Sequence, residues 1–293
     1  MNIVVCVKQV PDIEGRVVVE KGRVSIQALV PSYIISSLDL LAIEEAIRIN
    51  ERSRKGQVTL VSLGDSSAED ALRKGLAMGA DDAILLCDPA FDNGDSYTTA
   101  LALARTIGSM PYDLVLCGER ADDTQAGLVG SYIAGVLGIP LVRGVVKVDM
   151  DTENTKLLLH RKLEKGDREV VECSLPALLT VEAGLNSPRN PTIKGVLKAR
   201  SKEITKHDTK QVGLSSEEVG LAGSKITMTG LTPPKPKMKG LFVPDSKLSA
   251  VDRLRLIMEG GIIEKKSDFL EGDPREVASQ LVQFFKQEKI ISS

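Results

Sequence analysis

The sequence predicts an α/β protein with a doubly wound, mostly parallel sheet of the Rossmann-like class, an antiparallel add-on, and an extended C-terminal arm ending in helices. Two observations support this. Four short, almost wholly apolar segments in the first half have the pattern of strands buried on both faces of a parallel sheet. Helical patterns with an i, i+3, i+4 apolar stripe lie between them, and such alternation with right-handed crossovers produces a doubly wound sheet.

The predicted elements follow in order along the chain. The strands are 2–10, 57–63, 82–88 and 112–118, and the helices between them are 38–52, 66–79 and 96–108. Ser66 and Ser96 stand at the starts of two helices, where we expect them to act as N-caps. Residues 15–26 have the pattern of a hairpin that turns at Lys21 and Gly22.

The second half of the chain has a different pattern. After Pro140 strands follow one another without helices between them, which predicts an antiparallel add-on sheet. From about Lys202 the sequence is polar and lysine-rich through 232–240, so we expect an extended arm over 201–293 and an α/β domain over 1–200. Helical patterns end the arm, the last with Asp273 as N-cap and Pro274 at the first helical position. These helices need an apolar groove, on their own domain or on a partner.

Composition excludes several functions. The chain has 38 basic and 40 acidic residues, so it lacks the positive field that nucleic-acid binding demands, and aromatic residues are only 3%. No apolar run approaches the roughly 18 residues that span a bilayer, and Met1 is followed at once by a strand-like segment. We therefore expect a cytoplasmic protein without a membrane span.

Neither the cysteines nor the histidines indicate catalysis or metal binding. The four cysteines are widely separated, lie beside apolar residues and form no C-x-x-C pair, so we expect buried, reduced thiols. The two histidines, His160 and His207, lie in charged stretches, which disfavours a histidine-centred hydrolase. We expect no catalytic residue and no metal ligand.

An acidic, glycine-punctuated loop stands directly before an apolar helical pattern in 117–140. The unpaired N–H groups that begin such a helix attract anions, and ligands of doubly wound sheets bind at the carboxyl ends of strands. Asp122 and Asp123 would repel an anion unless they point elsewhere, to a ribose hydroxyl or back onto the loop. There is no P-loop, and no G-x-G-x-x-G follows the first strand.

Three stretches together resemble the beta subunit of electron-transfer flavoproteins. They are VVCVKQVPD (4–12) with AIEEAIR (42–48), LCGERADDTQAGLVGSYIAGVLGIP (116–140), and VEAGLNSPRNPTIKGVLKA (181–199). The last is the most specific, because Asn186, Pro188, Arg189 and the run 193–199 match that family's pattern in order and without gaps. The resemblance covers nearly the whole chain.

The resemblance implies a heterodimer with a flavoprotein alpha subunit that carries the redox-active FAD. This subunit would hold AMP, or a second FAD if the complex is of the bifurcating type, and its C-terminal arm would wrap the alpha subunit. Electrons would pass from flavin dehydrogenases, such as acyl-CoA dehydrogenases, to a quinone reductase or another acceptor. The chain would then be an electron-carrier subunit and not an enzyme.

The resemblance also implies site residues. The nucleotide would be bound by Cys6, Lys8, Ser36, Asp39, Leu63, Gly64, Asp123, Gly127, Leu128, Val129, Gly130 and Ser131. Partner dehydrogenases would be recognised by a tip formed by Leu185, Asn186, Pro188 and Arg189, with Leu185 as an exposed apolar anchor. Two positions depart from the family, which commonly has Asn-Pro at Ser36 and Ser37 and Gln at Leu128.

Two alternatives remain open. The first is a stand-alone adenine nucleotide-binding protein of the universal-stress type, which shares the α/β core. Its expected phosphate loop after a late strand is not seen in the sequence, and a self-contained protein would have no use for so long a lysine-rich tail. The second is a purely structural interaction subunit, which would contain no nucleotide after purification.

Overall fold

The computed structural model describes residues 1–12, 16–20, 23–27, 32–53, 56–151, 156–163, 166–226, 229, 248–258 and 272–287. The chain divides into two compact units, Met1–Pro233 and Pro234–Ser293. The domain boundary expected at residue 200 therefore falls inside the first unit.

The strands are β1 (Ile3–Cys6), β2 (Gln9–Pro11), β3 (Arg16–Glu20), β4 (Arg23–Gln27), β5 (Tyr33–Ile35), β6 (Val58–Leu63), β7 (Asp82–Leu86), β8 (Leu114–Gly118), β9 (Leu141–Met150), β10 (Lys156–Lys162), β11 (Arg168–Ser174), β12 (Ala177–Val181) and β13 (Thr205–His207). The helices are α1 (Ser37–Ser53), α2 (Ala68–Met78), α3 (Ser96–Gly108), α4 (Val129–Leu137), α5 (Ile193–Ser201), α6 (Thr209–Val212), α7 (Gly220–Gly223), α8 (Ala250–Met258) and α9 (Pro274–Gln287). The four predicted apolar strands are β1, β6, β7 and β8.

One large sheet organises the first unit, in the order β11-β10-β9-β12-β8-β1-β6-β7-β13. All neighbours from β9 to β13 pair in parallel, and only β10 and β11 are antiparallel. The mostly parallel α/β class is thereby confirmed. From β1 the chain builds outward through β6 and β7, and then β8 pairs on the other side of β1, so the strand order reverses between β1 and β8. Such a reversal opens a crevice at the carboxyl ends of the strands.

Three regions of the sheet differ from the sequence expectation in detail. The strands after Pro140 are not all antiparallel, because β12 inserts in parallel between β9 and β8. Part of the expected arm belongs to the sheet, since Thr205 pairs in register with Ile84. Strands pair through their backbone groups, so the polar side chains of this segment do not prevent the pairing. The predicted hairpin is present as β3 and β4, while its turn at Lys21 and Gly22 lies outside the described residues.

Helices cover both faces of the sheet and bury two apolar clusters. One cluster joins α1, α2 and the sheet around Ile43, Leu72 and Leu116, and the other joins α3 and α4 to the opposite face around Ile107 and Ile133. Full burial of such side chains stabilises the fold by roughly 1.5–3 kcal/mol each.

The predicted serine caps are wrong. Helix α2 follows Ser67, whose side chain makes no capping bond, and Asp65 accepts the Ser67 N–H at 2.8 Å instead. Helix α3 follows Asp95, whose carboxylate accepts the N–H of Thr98 at 2.9 Å. In both cases an aspartate near the predicted serine is the stronger acceptor for main-chain donors.

The second unit contributes the helices α8 and α9. The Arg275 N–H donates to the Asp273 carboxylate at 2.9 Å, as the predicted cap requires. Leu281, Val282 and Phe284 on α9 are exposed. The lysine-rich stretch 232–240 lies outside the described residues. Among the described helices, none has both the length and the apolar content that crossing a bilayer requires.

Candidate functional site

The crevice between β1 and β8 opens into a cavity of about 730 Å³. Eight of the residues that the resemblance assigns to a nucleotide line it, namely Cys6, Lys8, Asp39, Leu63, Gly127, Leu128, Val129 and Gly130. The other four assigned residues, Ser36, Gly64, Asp123 and Ser131, are not part of the lining. The structure therefore brings most of this residue set together at one place, although the residues come from four separate segments of the chain.

The two aspartates of the 118–127 loop are directed to protein partners. Asp122 accepts hydrogen bonds from the N–H and the hydroxyl of Ser37, at 2.7 and 2.9 Å, and so caps the start of α1. Asp123 accepts the Thr124 N–H at 2.7 Å and forms an ion pair with the Lys8 ammonium at 2.7 Å. Both carboxylates thus hold the loop in place.

Ser36 has a structural partner. It is fully buried, and its hydroxyl accepts the Asp122 N–H at 3.3 Å. The departure from the family at Ser36 and Ser37 is therefore absorbed by the loop, because both serines bind Asp122.

Asp39 joins the two strand ends that flank the crevice. Its carboxylate accepts the Lys8 N–H at 2.8 Å and the Gly118 N–H at 2.9 Å. Burial raises the pKa of Asp39 to about 7, against the lowering effect of these two main-chain bonds. Near neutral pH, the Asp39 carboxyl is therefore present in both its protonated and its ionised form.

The two glycines before α4 have different roles. Gly127 has a φ of +63°, a left-handed conformation that side chains rarely adopt. Gly130 is buried, and a Cβ there would stand 2.7 Å from both the Cys117 Sγ and the Thr180 Cγ2. The absence of a side chain at Gly130 therefore lets α4 pack closely on β8 and β12.

The floor of the cavity is neutral. Burial, together with the charge of Asp39, raises the pKa of the Cys6 thiol to about 12, and burial raises that of Cys117 well above its ordinary value. Neither thiol is therefore ionised near pH 7, and neither is a nucleophile. In the described ranges, the histidine, cysteine and acidic side chains form no group of three that could hold a metal ion.

Two arginine–glutamate pairs lie at the rim. Arg120 binds Glu182 at 2.7 Å, and the Nε of Arg143 binds Glu119 at 3.0 Å. Glu119 also accepts the hydroxyl of Thr180, so its position is fixed. These cations are already paired, but each is about two-fifths exposed and so stays accessible to a ligand at the rim.

Sequence analysis missed one wall of the cavity. Phe91, Leu103, Leu221 and Ile226 form an apolar part of the lining, and two of them come from the segment that was assigned to the arm. Asp95 holds this segment, because its carboxylate accepts the N–H groups of Lys225 and Ile226 at 2.6 and 3.1 Å. An aspartate before a helical pattern is a signal for a cap, but no local pattern connects it to residues 130 positions away.

The 185–189 loop is tied to α1. Arg189 forms ion pairs with Glu44 at 2.9 Å and Glu51 at 2.7 Å. Asn186 donates to the carbonyl of Leu41 at 3.1 Å and to the carboxylate of Glu45 at 3.0 Å. These contacts anchor the loop to α1, while Pro188 is exposed.

Leu185 is not an exposed apolar tip. It is partly buried and packs against the cluster beneath α1. The exposed apolar residues of this region are Ile193 and Leu197 on α5, with 83% and 60% of their surface exposed. Recognition of a partner by the 185–189 loop stays a prediction, and the structure offers α5 as the neighbouring apolar surface.

Known proteins resemble this chain over most of its length. A family profile described as "Electron transfer flavoprotein domain" matches residues 29–212. The electron transfer flavoprotein subunit beta of Thermoanaerobacterium thermosaccharolyticum is 42% identical over 255 residues, which cover 87% of this chain and 96% of that protein. The protein of the same name from Megasphaera elsdenii is 35% identical over 275 residues, 90% and 99% of the two chains.

A third relative is part of a larger complex. The caffeyl-CoA reductase-Etf complex subunit CarD of Acetobacterium woodii is 36% identical over 252 residues, 86% of this chain and 95% of that protein. The profile covers most of the sheet that builds the crevice, and the three relatives align along nearly their whole length. The chain therefore belongs to the electron transfer flavoprotein family and matches its beta subunits, which are electron carriers and not enzymes.

Proposed function

We propose that this chain is the beta subunit of a heterodimeric electron carrier and that its cavity binds an adenine nucleotide. One observation carries the second part. A cavity of about 730 Å³ stands where the strand order reverses between β1 and β8, and eight residues that the family resemblance assigns to a nucleotide line it. The alpha subunit would carry the redox-active FAD.

The phosphate would lie near the start of α4. No side chain caps this helix, so its first N–H groups stay available to an anion, and Gly127 lets the chain turn into it. The Lys8 ammonium, which pairs with Asp123 of the loop, supplies a positive charge. The neutral thiol of Cys6 and the side chain of Leu63 give the apolar surface that an adenine ring needs.

The apolar wall favours a second candidate for the same cavity. Phe91, Leu103, Leu221 and Ile226 lie in the same cavity as the loop before α4. An apolar wall of this kind would suit the isoalloxazine ring of an FAD. A second FAD in this subunit would make the heterodimer one of the bifurcating type. The name of the relative CarD, a subunit of a reductase complex, is compatible with such an assembly.

The partner that delivers electrons would dock on α5. Ile193 and Leu197 are exposed one helical turn apart, and Lys194 and Lys198 flank them. Arg189 fixes the preceding loop to α1, so this surface is held by a rigid support. An apolar centre with a basic rim fits a flavin dehydrogenase that has an apolar pocket with an acidic border. A quinone reductase or another acceptor would then receive the electrons.

A reduction assay tests the electron-carrier role. The heterodimer, co-expressed with its alpha subunit, is mixed with a flavin dehydrogenase and its substrate, and the flavin absorbance near 450 nm is followed. We expect the absorbance to fall and to recover when an acceptor is added. A heterodimer that no flavin dehydrogenase reduces would contradict the electron-carrier proposal. A nucleotide-binding chain that forms no complex with an alpha subunit would support the stand-alone alternative.

A further inference from the structure

Asp39 connects three elements at the crevice. It lies in the first turn of α1, and only 6% of its surface is exposed. One carboxylate oxygen accepts the Lys8 N–H, just beyond β1, and the other accepts the Gly118 N–H at the end of β8. The side chain thus replaces the ladder hydrogen bonds where two neighbouring strands separate.

The chain leaves room for this carboxylate at one position. A Cβ on Gly118 would stand 2.6 Å from the Asp39 Oδ1 and 2.9 Å from the Leu38 Cβ. Real Cβ atoms do not approach other atoms so closely, so only a glycine lets α1 and the end of β8 meet here. Asp39 and Gly118 are therefore a matched pair, and Lys8, Asp39 and Gly118 all line the cavity.

We propose that Asp39 is the positioning residue that holds the ends of β1 and β8 at the separation the nucleotide requires, so that nucleotide affinity depends on the ionised carboxylate accepting both main-chain bonds. This inference rests on the proposed nucleotide site. It assigns Asp39 a role that acts through the backbone of Lys8 and Gly118. Loss of one bond would release one strand end and reshape the crevice.

The groups that face Asp39 place its ionisation in a useful range of pH. The Asp122 carboxylate, in the neighbouring loop, disfavours its ionisation, and the Lys8 ammonium favours it. The Cys6 and Cys117 thiols, on β1 and β8, are neutral near pH 7. With a pKa of about 7, Asp39 is mostly ionised at pH 8 and accepts both bonds, while at pH 6 it is mostly protonated and its protonated oxygen is a poor acceptor.

Asp113 provides a matched control. It makes a similar contact at the opposite ends of the same two strands, where its carboxylate accepts the Asn2 N–H at 2.7 Å. The Asp113 N–H in turn donates to the Asn2 carbonyl at 2.8 Å. Asp113 does not line the cavity. Asp39→Asn therefore changes a carboxylate that accepts two main-chain bonds inside the proposed site, and Asp113→Asn changes one that accepts a single main-chain bond outside it.

The test compares the two variants with the wild type in the heterodimer co-purified with its alpha subunit. Hydrogen exchange is measured by mass spectrometry on peptides that contain Lys8 and Gly118. AMP and FAD binding is measured by calorimetry at pH 6 and pH 8, after bound nucleotide has been removed. For each protein, the affinity at pH 8 is divided by the affinity at pH 6. The wild-type ratio is then divided by the ratio of Asp39→Asn, because this cancels the effect of the titration of the nucleotide phosphate, which is the same for both proteins.

We expect Asp39→Asn to speed exchange at Lys8 and Gly118, because its amide NH₂ faces a main-chain donor. Its nucleotide affinity at pH 8 should fall by about tenfold, the equivalent of about 1.4 kcal/mol. Asp113→Asn should leave affinity within about twofold of the wild type. Wild-type affinity should be higher at pH 8 than at pH 6, after division by the variant's ratio.

Three outcomes would overturn the proposal. The first is unchanged exchange at Lys8 and Gly118 in Asp39→Asn, which would mean that Asp39 does not hold the strand ends. The second is an equal loss of affinity in both variants, which would reveal a general loss of stability. The third is a wild type that binds AMP or FAD with no pH dependence beyond that of Asp39→Asn. If the wild type binds neither nucleotide, the proposed site fails as well, while the exchange data still decide whether Asp39 holds the strand ends.

Discussion

The ammonium of Lys8 and the carboxylate of Asp123 lie 2.7 Å apart, although 115 residues separate them in the sequence. The pair closes the loop before α4 over the end of β1. Because Asp123 also accepts the Thr124 N–H, its negative charge is shared between two donors. A bound phosphate would therefore compete with Asp123 for the Lys8 ammonium.

Removal of the charge of Asp123 should strengthen phosphate binding. Asp123→Asn keeps an acceptor for the Thr124 N–H and frees Lys8, so we expect AMP affinity at low salt to rise by up to about fivefold, since an exposed ion pair contributes roughly 0.2–1 kcal/mol. Calorimetry on the nucleotide-stripped heterodimer measures this, with Lys8→Met as the opposite control, which should weaken binding. A loss of affinity in Asp123→Asn would mean that Asp123 binds the ligand itself, through a ribose hydroxyl.

Two glycines of α4 give a matched test of packing. A Cβ at Gly130 meets Cys117 and Thr180, so Gly130→Ala should lower the free energy of unfolding by about 1–3 kcal/mol. Gly135, in the same helix, has nothing within 4 Å of its Cβ position, so Gly135→Ala should raise it by about 0.5–1 kcal/mol. Urea unfolding of the heterodimer compares the two. Equal stability of both variants would show that α4 is free to move away from β8.

Substitutions of the apolar residues near the 185–189 loop should show which residue contributes to partner docking and which to the stability of the fold. Ile193 is 83% exposed, so Ile193→Ala should leave the melting temperature unchanged and weaken the apparent affinity for a flavin dehydrogenase by tenfold or more, since burial of such an anchor contributes roughly 1.5–3 kcal/mol. Leu185→Ala should instead lower the melting temperature, because Leu185 packs against the cluster beneath α1. Electron transfer from the dehydrogenase and thermal unfolding measure the two effects. If Leu185→Ala weakens docking and Ile193→Ala lowers the melting temperature, Leu185 is the residue that partner dehydrogenases recognise.

The pKa of Asp39 predicts a pH dependence of stability with a definite sign. Its folded-state pKa of about 7 lies above the ordinary value of 3.8, so the folded state binds more protons between these values. The contribution of Asp39 to stability is therefore complete below about pH 3.8 and is lost as the pH rises through about 7. Urea unfolding at pH 5 and pH 8 should give a larger loss of stability on raising the pH in the wild type than in Asp39→Asn. An identical pH dependence of both proteins would contradict the raised pKa.

The sequence predicted those parts of the fold that local patterns determine. The segments around Ile3, Leu60 and Leu116 are apolar on both faces, and this pattern is typical of strands that are buried on both sides of a sheet. The rule that ligands bind at the carboxyl ends of strands then selected the loops after β1 and β8, and the family resemblance supplied most of the assigned lining residues. Gly127 and Lys8 could be placed at the site for the same reason.

The remainder depends on contacts between distant segments. The insertion of β12 between β9 and β8 leaves no trace in the pattern of β12, because buried parallel and antiparallel strands differ little in composition. The role of Asp95 requires Lys225 and Ile226, and that of Asp39 requires both Lys8 and Gly118. In the sequence, Gly130 has the pattern of a glycine that lies beside a phosphate. Its packing role becomes visible only in the structure, where Cys117 and Thr180 lie next to it.

The nucleotide content of the purified heterodimer tests the central claim most directly. The protein is denatured, its nucleotides are separated by chromatography, and AMP and FAD are counted against the protein concentration. The account predicts two nucleotides per heterodimer, one FAD from the alpha subunit and one adenine nucleotide, AMP or a second FAD, from the cavity of about 730 Å³ in this chain. A heterodimer with one FAD and no further nucleotide, and with no AMP or FAD binding when either is added, would contradict it.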